Sequence, residues 1–188
     1  AVREALDRRT PGMANVQDGL ADIHGRIGYV LGLQGNTDAA LTEYRASIAA
    51  RQALADRDPS NGNWQRNLEI AVNQLGSALL AQGDVAGSLT AYQRGLAIAQ
   101  ALVAKDPQAT LLRADVWFCQ VNVGGVLASL GNTAGALTAY QTALPIAEQL
   151  VVDDPTNANY RSDLSWSHEY LGDTMLAMGD KPGALDRY

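Results

Sequence analysis

The sequence predicts an all-α fold, a right-handed solenoid of antiparallel helix hairpins, from three observations. First, a residue pattern recurs every 48 positions without slippage. The glycines that mark it are Gly28, Gly76, Gly124 and Gly172, and again Gly35, Gly83, Gly131 and Gly179. Second, apolar residues within a repeat follow the three-and-four spacing of a helix. Third, turn signals divide each repeat into two helices. A fixed period of this size is typical of stacked units that bury apolar faces against their neighbours.

The first helix of a repeat is clearest over Trp64–Gln82, where Leu68, Val72, Leu75 and Leu79 keep helical spacing. A glycine follows directly, and glycine is the residue that most readily ends a helix in the left-handed conformation. The sequence therefore predicts a helix end at Gly83.

The second helix is predicted over Val85–Lys105. Asp84 precedes it as an N-cap. Asp106-Pro107 ends it, because a residue before proline avoids the helical region. The other copies of the tight turn read Gly35-Asn36, Gly131-Asn132 and Gly179-Asp180. Each helix of roughly 20 residues is about 30 Å long.

The register divides the chain into repeat units. We predict full repeats at 12–59, 60–107 and 108–155, a truncated repeat at 156–188, and the tail of a preceding repeat at 1–11. Because the pattern has no polar capping helix at either end, we expect a fragment of a longer array or protein.

The units resemble the tetratricopeptide repeat. That family places an aliphatic-glycine pair and then a large residue in its first helix, as in Val123-Gly124 and Leu127. Its second helix carries a small residue four positions before an aromatic, as in Ala136 and Tyr140. All four copies keep both features. The usual unit has about 34 residues, so this chain resembles an elongated 48-residue variant.

Composition argues against several classes of function. A net charge of −6 argues against a nucleic-acid binder, which would show a basic stripe. No apolar stretch approaches the ~20 residues of a membrane helix. A single cysteine, Cys119, excludes an internal disulfide framework and is compatible with a cytoplasmic location.

No arrangement for catalysis, metal or cofactor binding stands out. His24 and His168 occupy the same point of the period, three repeats apart, without a metal-ligand pattern. Cys119 falls at a position of mostly small residues, which favours an inert buried or half-buried thiol. We therefore expect no enzyme, no metal and no cofactor.

The resemblance implies partner contacts on the concave face, at positions six and three before the motif glycine and one after it. The residues there are Asp22, Gly25, Tyr29, Ile70, Asn73, Ser77, Phe118, Val121, Gly125, Trp166, Glu169 and Asp173. Phe118 and Trp166 would anchor an interface in this interpretation. In the alternative interpretation, the long helices bury both between hairpins.

The most favoured function is a protein-interaction scaffold that binds a peptide or helix of a partner in its concave face. The acidic residues favour a basic or apolar partner. A carboxylate-binding clamp would need Lys and Arg at these positions, where only Asn73 fits. Two alternatives remain: a regulatory or sensor array of a larger multidomain signalling protein, and a self-assembling structural array in which apolar end faces associate.

Overall fold

The helices follow the predicted order. The computed structural model describes the backbone from Pro11 and the side chains from Met13 to Tyr188. These residues form eight helices and no strand. The helices are α1 (Pro11–Leu33), α2 (Thr37–Arg57), α3 (Gly62–Gln82), α4 (Val85–Lys105), α5 (Thr110–Ser129), α6 (Thr133–Asp153), α7 (Ala158–Ala177) and α8 (Lys181–Leu185). The all-α prediction is confirmed. The predicted repeat tail, 1–11, lies outside the described residues except for Pro11.

Glycine ends the first helix of each hairpin through the left-handed conformation. Gly83 has φ +88° and directs its N–H to the carbonyls of Leu79 and Leu80. The equivalent glycines, Gly35, Gly131 and Gly179, also have positive φ. Because residues with a Cβ rarely adopt this φ, glycine sets the hairpin turn.

The predicted cap at Asp84 is confirmed, since its Oδ1 accepts a hydrogen bond from the Gly87 N–H at 2.9 Å. A Cβ at Gly87 would lie 2.3 Å from Oδ2 of Asp84. The first hairpin carries Ala39 at this place, and Asn36 makes no side-chain cap bond. Among the second helices, this cap bond forms at Asp84, Asn132 and Asp180, where the third helical residue is glycine.

The chain divides into two compact units at Gly83 and Asp84. In the first unit, α1 packs against α2 and α2 packs against α3. The middle helix, α2, is the most enclosed of the three. Its buried residues are Ala40, Leu41, Tyr44, Ser47, Ile48, Arg51, Leu54 and Ala55.

The second unit continues the same pattern from α4 to α8, each helix packed on the next. Tyr92 of α4 packs with Val123 and Val126 of α5. Farther along the unit, Tyr140 of α6 shares a cluster with Leu171 of α7. The core is therefore a row of small clusters between successive helices, as the repeat predicts.

The repeated glycine and tyrosine meet in the first, third and fourth hairpins. A Cβ at Gly124 would lie 2.5 Å from Cε1 of Tyr140, and one at Gly28 would lie 3.1 Å from the Tyr44 ring. The glycine therefore lets the tyrosine ring lie directly on the backbone of the first helix, which explains why both residues recur together.

Candidate partner-binding site

In the first unit, several predicted contact residues meet at one pocket. Asp22, Gly25 and Tyr29 of α1 and Ile70 of α3 line a space of about 360 Å³. The three α1 residues are spaced by three and four, which places them on one helix face. The structure thus brings together Asp22, Tyr29 and Ile70, three of the positions that the resemblance implied. Partner binding by these residues stays a prediction.

A buried guanidinium lies beside this pocket. The Arg51 side chain is 8 % exposed, and its Nη2 lies 3.6 Å from Oδ1 of Asp22. Its Nη1 donates to the Asn67 carbonyl at 3.0 Å, and its Nε lies 3.8 Å from Oδ1 of Asp18. Arg26 donates to the other oxygen of Asp22 at 2.6 Å. Two arginines and two aspartates therefore balance each other at the pocket wall.

The positions implied by the resemblance missed Arg51, because they lie only on first helices and Arg51 belongs to α2. The sequence does contain a signal for it. The equivalent residues of the next two repeats are Ala99 and Ala147, so an arginine at this point departs from the pattern. A long cation at an otherwise small, buried position indicates local ion pairing.

The other two α3 residues differ in access. Asn73 is buried, and its Nδ2 donates to Oε1 of Glu69. Ser77 is exposed. A partner on this surface would therefore contact Ser77 directly, whereas the Asn73 side chain is buried and less accessible to it.

In the second unit, two aromatic side chains stand at equivalent positions of α5 and α7. Phe118 is 46 % exposed and Trp166 is 48 % exposed. The interpretation in which the long helices bury them between hairpins is therefore wrong. Val121, one turn beyond Phe118, is half-buried and packs against the α6–α7 core.

Trp117, the neighbour of Phe118 in the sequence, is a core residue of the second unit. It is buried with Ala143 and Ala147 of α6, and its Nε1 donates to Oγ of Ser167 at 2.8 Å. This bond joins α5 directly to α7. The repeat pattern does not indicate whether Trp117 is buried, because the equivalent residues are Ala21, Glu69 and Ser165.

The surface of α7 gathers carboxylates and aromatic rings. Trp166, Glu169, Tyr170 and Asp173 are spaced by three, one and three residues, so they share one helix face. Glu169 and Asp173 are exposed. Asp173 accepts a hydrogen bond through Oδ1 from the Tyr188 hydroxyl. We name this set the α7 face.

A tyrosine pair supports the α7 face. The rings of Tyr140 and Tyr170 stack with centroids 5.3 Å apart and planes inclined by 22°. Burial raises the pKa of Tyr140 to about 12, with smaller contributions from Tyr170 and Asp173. Burial, followed by the charge of Glu169, also raises the pKa of Tyr170. Both phenols are therefore neutral at physiological pH.

Of the residues considered for chemistry, His24 lies beside a carboxylate and Cys119 lies in the core. Nδ1 of His24 lies 2.6 Å from Oε2 of Glu43, and the thiol of Cys119 is buried. Within the described residues, no group of three or more His, Cys, Asp and Glu side chains could hold a metal ion. From α1 to α8, no helix combines the length and the apolar character that a membrane crossing requires.

Residues 71–108 match the family model described as tetratricopeptide repeat. This stretch covers the later part of α3 and all of α4. The match confirms the predicted resemblance to the tetratricopeptide repeat over 71–108, and the same helix hairpin recurs along the described residues. No curated protein sequence matches the chain.

Solved structures with a similar fold include BtubC (BKLC) from P. vanneervenii, with a TM-score of 0.71 and 18 % identity. That match covers 91 % of this chain and 61 % of BtubC. The apo form of RapI gives a TM-score of 0.68 at 13 % identity, covering 90 % of this chain and 53 % of RapI. The chain thus spans about three fifths and about half of these two proteins. At these identities the likeness shows the helical-repeat fold alone.

Proposed function

We propose that this chain of tetratricopeptide-like repeats is a protein-interaction scaffold that holds a peptide or helical segment of a partner on the face of its first helices. The observation that carries the proposal is the half-exposure of Phe118 and Trp166 at equivalent positions of α5 and α7. Large aromatic residues at neighbouring surface positions are typical anchors of protein interfaces.

Packing does not account for this pair. Trp117 already fills the space against Ala143 and Ala147, and its indole nitrogen reaches α7. Trp117 therefore already fills this part of the core, and the exposed rings of Phe118 and Trp166 are available to a partner. We infer that a partner segment lies across α5 and α7 with an apolar side chain against these rings.

A selection from a displayed library of random peptides tests the proposal, with affinities measured by fluorescence anisotropy. We expect the unaltered chain to select peptides that share apolar positions. We expect Phe118→Ala/Trp166→Ala to weaken their binding by about 1,000-fold, because two hot-spot aromatics that each contribute about 2 kcal/mol together contribute about 4 kcal/mol.

Val152→Ala/Leu185→Ala is the matched control, since both residues are apolar and exposed but lie on the second helices α6 and α8. Equal binding by the aromatic double variant and this control would contradict the proposal, as would failure to select any peptide. Circular dichroism of each variant separates lost binding from lost folding.

A second candidate, self-association of the chain, is favoured by α1. One apolar stripe of this helix is between 42 % and 62 % exposed. It comprises Val16, Leu20, Ile23, Ile27 and Val30. The equivalent α5 residues are buried: Val116, Cys119, Val123 and Val126. Because α5 packs against the second helix α4, the α1 stripe suits a second-helix surface from another copy.

Sedimentation velocity over a range of concentrations tests this second candidate. We expect the sedimentation coefficient to rise with concentration and Leu20→Glu/Ile27→Glu to abolish the rise, because buried carboxylates would be desolvated without partners. A chain that stays monomeric at the highest concentration would exclude self-association.

A further inference from the structure

We propose that the α7 face is a subsite for a cationic side chain, arginine or lysine, of the partner segment. The assignment rests on the proposed scaffold function and names the chemistry of its partner. It is carried by two exposed carboxylates, Glu169 and Asp173, on the same face as two aromatic rings, Trp166 and Tyr170.

A pocket adjoins these residues. A space of about 270 Å³ is lined by Tyr140, Tyr170, Asp173, Thr133 and Thr174, together with two alanines. No lysine or arginine lines it. The stacked tyrosines form its aromatic wall, and the Asp173 carboxylate adds a negative charge. A side chain with an apolar stem and a cationic end fits this combination.

Aromatic rings and carboxylates attract a cation by different mechanisms that act together here. The face of a tyrosine or tryptophan ring attracts a cation through its quadrupole, and each carboxylate attracts it by charge. Arginine adds a planar guanidinium that stacks on rings and donates two hydrogen bonds to a carboxylate. Oδ1 of Asp173 also accepts a hydrogen bond from the Tyr188 hydroxyl.

The fold does not require this chemistry, because the other repeats lack it. The glycine and tyrosine that build each hairpin recur in every copy, whereas the residues of the α7 face do not. The residues equivalent to Glu169 are Gly25, Asn73 and Val121, those equivalent to Tyr170 are Arg26, Gln74 and Asn122, and those equivalent to Asp173 are Tyr29, Ser77 and Gly125. The fourth repeat alone combines two carboxylates with two aromatic rings at these positions.

Nuclear magnetic resonance with a small probe tests the subsite. N-acetyl-arginine methylamide is titrated into the ¹⁵N-labelled chain, beside the lysine analogue and the neutral citrulline analogue. We expect the arginine probe to shift the amides of α7 and the Trp166 indole N–H, the lysine probe to shift the same signals more weakly, and the citrulline probe to leave them in place. Glu169→Gln/Asp173→Asn should weaken arginine binding about tenfold, because the neutral amides keep the shape and remove the charge.

Glu148→Gln is the matched control, since it removes an exposed carboxylate from α6. Equal shifts from the citrulline probe, unchanged affinity in the double variant, or shifts confined to other helices would overturn the proposal, as would no shift at all.

The peptide selection separates the two proposals. Selected peptides without lysine or arginine that still need Trp166 would leave the scaffold standing and overturn the cationic subsite as part of partner recognition. Arginine-probe binding at α7 without any selected peptide would support the subsite chemistry while the scaffold function fails. Peptides that carry a basic residue and lose affinity when citrulline replaces it would support both.

Discussion

The first and third hairpins fill equivalent core positions in opposite ways. The first has the small Ala21 on α1 and the large Arg51 on α2, and both are buried. The third has the large Trp117 on α5 and the small Ala147 on α6, again both buried. Each pair combines one large and one small side chain, which is how facing helices keep a constant separation.

The two hairpins differ in the polar partners that the large buried side chain requires. Arg51 carries a charge into the interior and is surrounded by Asp18, Asp22 and the Asn67 carbonyl. Trp117 is largely apolar and needs one hydrogen-bond acceptor, Ser167. The comparison teaches that the repeat keeps both positions buried and leaves the chemistry of the large side chain to each hairpin.

The largest effect should come from Trp117→Ala. Removing a buried indole leaves a cavity that the helices fill incompletely, and we expect a loss of about 4 kcal/mol in the free energy of unfolding. Urea unfolding followed by circular dichroism measures it. Phe118→Ala, one residue away but half-exposed, is the control and should cost under about 1 kcal/mol. A similar cost for both would contradict the assignment of Trp117 to the core and Phe118 to the surface.

Arg51→Ala should be next, with a loss of about 3 kcal/mol, because it leaves a cavity where the buried side chain lay and removes the donor to the Asn67 carbonyl. The change gives the first hairpin the residue that Ala99 and Ala147 provide elsewhere. Urea unfolding of the variant measures the loss. A variant as stable as the unaltered chain would mean that alanine serves equally well at this position in every hairpin.

Gly124→Ala should cost about 2 kcal/mol, because the new Cβ would lie 2.5 Å from the Tyr140 ring. Tyr140 has little freedom to yield, since it stacks on Tyr170. Gly28→Ala should cost less, as its Cβ would lie 3.1 Å from its nearest neighbours. Gly19→Ala, with no atom within 4 Å, should stabilise the chain by up to about 1 kcal/mol. Thermal unfolding orders the three variants, and any other order refutes this reading of the glycine contacts.

Asp163→Asn should stabilise the chain by about 1 kcal/mol at neutral pH. Burial raises the pKa of Asp163 from 3.8 to about 6, while the equivalent residue of the first unit is the neutral Asn67. Because the folded pKa is raised, the favourable contribution is complete below pH 3.8 and is lost as pH rises through about 6.

Unfolding measured across this pH window tests the assignment. The unaltered chain should lose stability relative to Asp163→Asn as pH rises from about 4 to about 7. Parallel pH profiles of the two proteins would show that Asp163 does not titrate as described.

Ala39→Gly should change stability least, by under about 0.5 kcal/mol. The change opens the space that Gly87 and Gly135 provide, so Asn36 should gain its cap bond, which contributes about 1 kcal/mol. Glycine in a helix costs a similar amount. A crystal structure of the variant should show Asn36 Oδ1 accepting from the residue-39 N–H. An unchanged Asn36 side chain would mean that something other than Ala39 prevents the cap.

Much of the fold could be predicted because its signals are local. Gly83 ends α3 and Asp84 caps α4 through contacts within a few residues. The Asp-Pro pairs mark the ends of the second helices for the same reason. Because each local signal occurs in several repeats, agreement among the copies strengthened the prediction without any knowledge of tertiary contacts.

The contact surface could be predicted only in part. The resemblance implied Asp22, Tyr29 and Ile70 as contact positions, and the three line one pocket. The resemblance did not predict Arg51, which reaches the pocket wall from α2. It also did not predict that Asn73 is buried, since burial depends on the residues packed around the side chain.

The sequence by itself determined the period and the helix ends, because both depend on backbone geometry within one hairpin. Only the tertiary structure decided which of the adjacent aromatics Trp117 and Phe118 is core, and that Tyr140 stacks on Tyr170. Those outcomes depend on the space left by residues more than 20 positions away, such as Ala147, and a local pattern contains no measure of that space.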